Sequence, residues 1–173
     1  MGELTSLEQK CVEAASAEPM LAQVENWSAV NSGSRNLDGL GIIGARLAGA
    51  FADLPGDIQM LEPASVEAVD PAGINYEVPH GRNLHLKVRP DAPVQLLFTG
   101  HMDTVFGVDH EFQSLSWLEP GKVLNGPGVA DMKGGIAVML AALKAVEASP
   151  LACPAQPGRS ARQIRASPLP RRC

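Results

Sequence analysis

Apolar residues recur at helical spacing over residues 7–30, first Leu7, Cys11, Ala14 and Ala15, then Leu21, Val24 and Trp27. The cluster "NSGSRN", residues 31–36, breaks this pattern as a turn. A second helix is expected after it, capped by Asp38, with an apolar face of Ile42, Ile43, Leu47, Ala50 and Phe51 and an end near Pro55 and Gly56. Three stretches then read as strands: "IQMLEP" from Ile58, "LHLKVRP" with alternating Leu84, Leu86 and Val88, and "VQLLFTG" from Val94. The last is apolar on both faces, the pattern of a strand covered on both sides. A long loop leads to "DMKGGIAVMLAALKAVEAS", a helix with Ile136, Met139, Leu140 and Leu143 on one face and Lys144 and Glu147 turned away. The order helix, strand, strand, strand, loop, helix predicts an α/β fold, a mixed and largely parallel sheet flanked by helices, without internal repeats.

Composition narrows the setting. At 173 residues and 45% hydrophobic content, the chain is long enough for one domain with a core. No apolar run reaches bilayer length, and "MGELTSLEQK" has neither a basic start nor an apolar centre, so a cytoplasmic protein without a membrane partner is expected. Three widely spaced cysteines, Cys11, Cys153 and Cys173, suit neither a disulfide framework nor a thiolate zinc site. A net charge of -5 gives no reason to expect nucleic acid.

That charge is unevenly distributed. Up to Ser149 there are 9 Lys and Arg against 19 Asp and Glu, whereas Arg159, Arg162, Arg165, Arg171 and Arg172 follow with no acidic residue. The Pro- and Arg-rich end has no helical or strand period and too little apolar surface to offset its ordering entropy. The expected division is a folded part over residues 1–149 and a disordered tail over residues 150–173.

Two constellations carry candidate chemistry. Just past the third strand stand His101 and Asp103, and loops beyond the carboxyl ends of strands are where open α/β sheets bind ligands. Two residues apart in extended chain, they project to one side, so the carboxylate can lie close to the imidazole and fix its tautomer, an arrangement common for metal-bound histidine. On the pair alone, a histidine satisfied by a local turn carboxylate is the commoner arrangement. The second is "LNGPGVADMKGG", which sets Asp131 directly before a helix. An N-cap aspartate is the simple reading. A phosphate loop is disfavoured, since Asp131 occupies the third glycine position of G-x-G-x-x-G and an acidic side chain would repel phosphate but hold a divalent cation.

Together, "TGHMDTVF" and "NGPGVADMKGG" resemble the zinc metallopeptidase family of carboxypeptidase G, aminoacylase, acetylornithine deacetylase and succinyl-diaminopimelate desuccinylase. "NSGSRNLDG" also resembles an early turn of carboxypeptidase G relatives. The resemblance covers roughly residues 20–149 and implies the N-terminal part of a zinc exopeptidase catalytic domain. It implies that His101 ligates one zinc, that Asp131 bridges two, and that Asp103 is the catalytic-site residue orienting His101. It also implies a cis Asp131–Met132 bond, Co2+ or Mn2+ as substitutes for Zn2+, a small peptide or N-acyl amino acid substrate, and homodimers among intact relatives. The implied reaction is amide hydrolysis by metal-activated water.

Part of the family's set is absent from this sequence. It contains no "EE", where the family has a general base followed by a zinc ligand, and no histidine after His110. "HEFQS" has Ser114 where a zincin helix has its second histidine, and His80 and His85 read as surface residues. There is no G-x-S-x-G elbow and no cysteine in a nucleophile setting. A frameshift or gene truncation from about Leu151 is the expectation that would explain both the tail and the missing groups. The alternative to a hydrolase is therefore a catalytically inactive truncated fragment or interaction module.

Overall fold

The computed structural model describes residues 3–152. Helix α1 (Ser6–Ser16) starts at a capping box, in which Thr5 and Glu8 satisfy each other's backbone N–H. Helix α2 (Met20–Ser28) follows, then α3 (Leu37–Phe51). The cap of α3 is Asn36, whose side-chain oxygen accepts from the Gly39 N–H at 3.1 Å; Asp38, expected as the cap, lies inside the first turn. Strands β1 (Asp57–Leu61) and β4 (Asn83–Lys87) coincide closely with two of the sequence-predicted strands. The pairs β2 (Val66–Val69) with β3 (Asn75–Val78), and β5 (Ser116–Glu119) with β6 (Val123–Asn125), fall where no strand was expected. Helix α4 (Gly134–Glu147) closes the described chain.

The core lies between helices and one sheet face. Leu40, Ile43, Leu47 and Phe51 recur every three or four residues along α3 and are buried, whereas Ile42 is turned to solvent. From α4 come Ile136, Ala137 and Leu140, and from α2 Val24 and Trp27. In the β1–β4 register Ile58 opposes Leu86 and Met60 opposes Leu84. Ile58, Leu84 and Leu86 pack on the core, while His85 and Gln59 share the solvent face. Lys144 and Glu147, expected to be turned away from the packed face of α4, are instead only about one-fifth exposed and ion-paired, with Asp53 at 2.7 Å and with Arg89 respectively.

Among the described residues the expected largely parallel sheet is not formed. The three sheets described are each two-stranded and antiparallel, and the segment from Val94 to Gly100 is not a strand. Val94, Leu96, Leu97 and Phe98 are exposed, and no backbone N–H from Leu96 to Asp103 donates to another backbone group among the described residues. The physical reason is that β-structure is a property of pairs: an apolar run becomes a strand only when a neighbour accepts its backbone hydrogen bonds. No described segment pairs with this one through backbone hydrogen bonds. Of the expected tail, residues 153–173 lie outside the described residues. Among the described residues no helix is long and apolar enough to cross a membrane.

This distribution of burial sets an expectation for two leucines. Leu140 is 0% exposed and Leu97 88%. Leu140→Ala should cost about 2–5 kcal/mol in denaturant unfolding, and Leu97→Ala no more than about 0.5 kcal/mol. Equal costs would contradict the core described above.

Candidate active site

The site is assembled where three loops meet. The turn after α2 runs beside residues 103–107: the Thr104 N–H donates to the Ser32 carbonyl at 2.8 Å, and the Ser34 N–H donates to the Thr104 carbonyl at 3.0 Å. The close approach depends on Gly33, where an added Cβ would come within 2.5 Å of the Phe106 carbonyl oxygen. Asn31 braces the same seam, its side-chain NH2 donating to the Gln113 side chain at 2.7 Å and to the Phe106 carbonyl at 3.2 Å.

The third loop is the glycine-rich approach to α4. Gly128 is left-handed, with φ at 74°, and a Cβ there would meet the Lys133 stem and the Thr104 methyl. A wide, irregular turn follows over Val129–Lys133, in which the Asp131–Met132 peptide bond is cis, as the resemblance implied. Lys133 ends this turn completely buried. Its ammonium donates to the carbonyls of Trp27 at 3.1 Å and Val30 at 3.2 Å, at the C-terminal end of α2, where the helix dipole favours a cation. Burial lowers its pKa from 10.5 to about 8.

These constraints bring His101, Asp103 and Asp131 together. The Nδ1 of His101 lies 3.2 Å from a carboxylate oxygen of Asp103 and 3.1 Å from the Asp103 carbonyl. Both are acceptors, an arrangement that favours a proton on Nδ1. Nε2 lies 3.0 Å from an Asp131 carboxylate oxygen. The other Asp103 carboxylate oxygen accepts from the Ser34 hydroxyl at 2.5 Å. Partial burial opposes charging of His101, but hydrogen bonds to Asp131 and to the Asp103 backbone, with both carboxylate charges, raise its pKa overall. The three side chains border a cavity of about 280 Å3 that Thr104, Phe106 and Gly128 also line. A larger hollow of about 800 Å3 beside Arg89, Glu147 and Ala152 contains none of them.

The dismissed histidines stay outside. His85 faces solvent on β4, His80 lies 3.4 Å from an Arg35 guanidinium nitrogen, and His110 accepts from the Phe112 N–H and stacks edge-on with Phe106. Ser34, Asn31 and Lys133 were not singled out from the sequence. They lie within the quoted motifs "NSGSRNLDG" and "NGPGVADMKGG", but contacts 69 to 106 residues apart leave no local period that would mark the individual side chains.

A metal fits this donor set in part. With its Nδ1 protonated, a neutral His101 presents a lone pair at Nε2, facing a carboxylate oxygen that is also an acceptor. Such a contact at 3.0 Å needs a proton or a cation between the two atoms. Zinc accepts both donor types. Among the described residues, however, no group of three or more His, Cys, Asp or Glu is gathered to hold a metal.

Residues 97–156, which span both motifs, match the family model of Peptidase family M20/M25/M40. Over this segment the chain is similar to that peptidase family. The M20/M25/M40 match continues past Leu151, where out-of-frame translation was expected to begin. No curated protein matches the chain. The match supports a hydrolase by family resemblance and agrees with the resemblance read from the two motifs.

Lys133 generates a pH-dependent expectation. Its folded-state pKa is below the unfolded value, so the unfolded chain binds more protons between about pH 8 and 10.5 and stability rises with pH across that window. Wild type should gain stability relative to Lys133→Met as pH is raised from about 8 to 10.5, measured by urea unfolding. A constant difference would show that the ammonium is not desolvated.

Proposed function

We propose that the chain carries part of the active site of a metal-dependent amide hydrolase, an exopeptidase or N-acyl amino acid deacylase using zinc. The observation that carries this reading is the 3.0 Å approach of His101 Nε2 to Asp131, with Nδ1 already engaged by Asp103. His101 and Asp131 would hold the metal, and Asp131, 87% exposed at its side chain, has an oxygen to spare for a second ion. When bound, the metal supplies Lewis acidity toward a scissile carbonyl and toward water.

The remaining work falls to the chain's own groups. Asp103 keeps the Nδ1 proton in place, which leaves Nε2 as the donor atom and increases its basicity. Phe106 and Val105 give the cavity an apolar wall suited to the side chain of a small peptide or N-acyl amino acid. Catalytic zinc sites use three protein ligands, so donors beyond His101 and Asp131 are required, and they are not found among the described residues.

Equilibrium dialysis with Zn2+, paired with assays on N-acyl amino acids and on peptides with C-terminal glutamate, tests this reading. His101→Ala and Asp131→Ala should each weaken zinc binding by at least about tenfold, and a chelator should abolish hydrolysis by the wild type. Zinc binding that survives both substitutions would overturn the assignment. Site-dependent zinc binding without hydrolysis would favour a binding role over catalysis.

A further inference from the structure

We infer that Ser34 is a positioning residue for the metal site, acting on His101 through Asp103; this rests on the metal-site reading given above. The geometry is a relay with one acceptor at its centre. One Asp103 carboxylate oxygen faces His101 Nδ1 at 3.2 Å, and the other accepts from the Ser34 hydroxyl at 2.5 Å. The terminal torsion of an aspartate is broad and nearly two-fold, so a carboxylate held at one end by a bond as long as 3.2 Å can turn toward solvent. Asp103 has solvent to turn toward, its side chain being 38% exposed. The short bond from Ser34 removes that freedom.

Ser34 is itself well placed to act as an anchor. Its backbone N–H donates to the Thr104 carbonyl at 3.0 Å, its hydroxyl also reaches that carbonyl at 3.2 Å, and Gly33 forms a parallel bridge with Thr104. The turn is fixed from its other side by Asn31, which accepts from the Gly33 N–H at 3.1 Å and from the Asn36 side chain at 3.0 Å. The hydroxyl therefore stands on a braced backbone and ties the turn after α2 to the residue that orients the histidine. Because the Nδ1 proton also faces the Asp103 carbonyl at 3.1 Å, loss of Ser34 should weaken the orientation and not abolish it.

Zinc affinity of the full chain should fall about tenfold in Ser34→Ala, the lower end for residues that support a metal ligand. Ser34→Thr, which retains the hydroxyl, should stay within about threefold of wild type, and Ser34→Ala should add nothing in an Asp103→Ala background. The metal-free protein supplies a separate readout: the His101 Nδ1–H resonance should be slow to exchange in wild type and Ser34→Thr and broadened in Ser34→Ala. If wild type binds no zinc, the functional reading fails, yet this resonance still decides the role of Ser34. An unchanged resonance in Ser34→Ala, a Thr variant that does not restore it, or an effect that persists without Asp103 would overturn the inference.

Discussion

The Lys133 ammonium, fully buried and held by the carbonyls of Trp27 and Val30, joins the turn that carries Asp131 to the end of α2. A buried charge with no carboxylate partner among the described residues is costly, and its lowered pKa is the sign of that cost. In return, one side chain fixes two backbone positions more than 100 residues away in sequence. From the anchored end of α2 the chain runs directly into residues 31–34, which pair with Thr104 and reach Asp103. Asp131 and His101 therefore approach each other as parts of one braced unit.

Much of this was legible in the sequence where the signal is local. The apolar faces of α3 and α4 follow from residues three and four apart, and the alternation of Leu84 and Leu86 gives β4 and its buried face. His101, Asp103 and Asp131 stood out because each occupies an unusual place, just beyond an apolar run or before a helix. Other features were hidden because they depend on partners distant in sequence. Ser34 looks like any turn serine until Asp103 is beside it, and Lys133 like any helix-start lysine until α2 covers it.

The segment from Val94 to Gly100 was misread for a related reason. Its composition describes what a strand there would bury, but a strand also needs a neighbour to take its hydrogen bonds, and none is present among the described residues. The segment still places His101 at its end, and the site takes its order from the loops around it. Function follows the same division. The donor atoms converge, with Nδ1 facing Asp103 and Nε2 facing Asp131, and the M20/M25/M40 match gives that convergence a hydrolytic context, while the further ligands a catalytic metal needs are not found among the described residues.

The central claim is that the space between His101 Nε2 and the Asp131 carboxylate is a cation site. A crystal structure of the zinc-soaked chain, with anomalous scattering collected at the zinc edge, tests it most directly. The account requires an anomalous peak about 2.0–2.1 Å from Nε2 and about 2.0–2.2 Å from an Asp131 oxygen, with Nδ1 still bonded to Asp103. A peak bound through Nδ1, or zinc located away from both residues while Nε2 and Asp131 remain in direct contact, would contradict it.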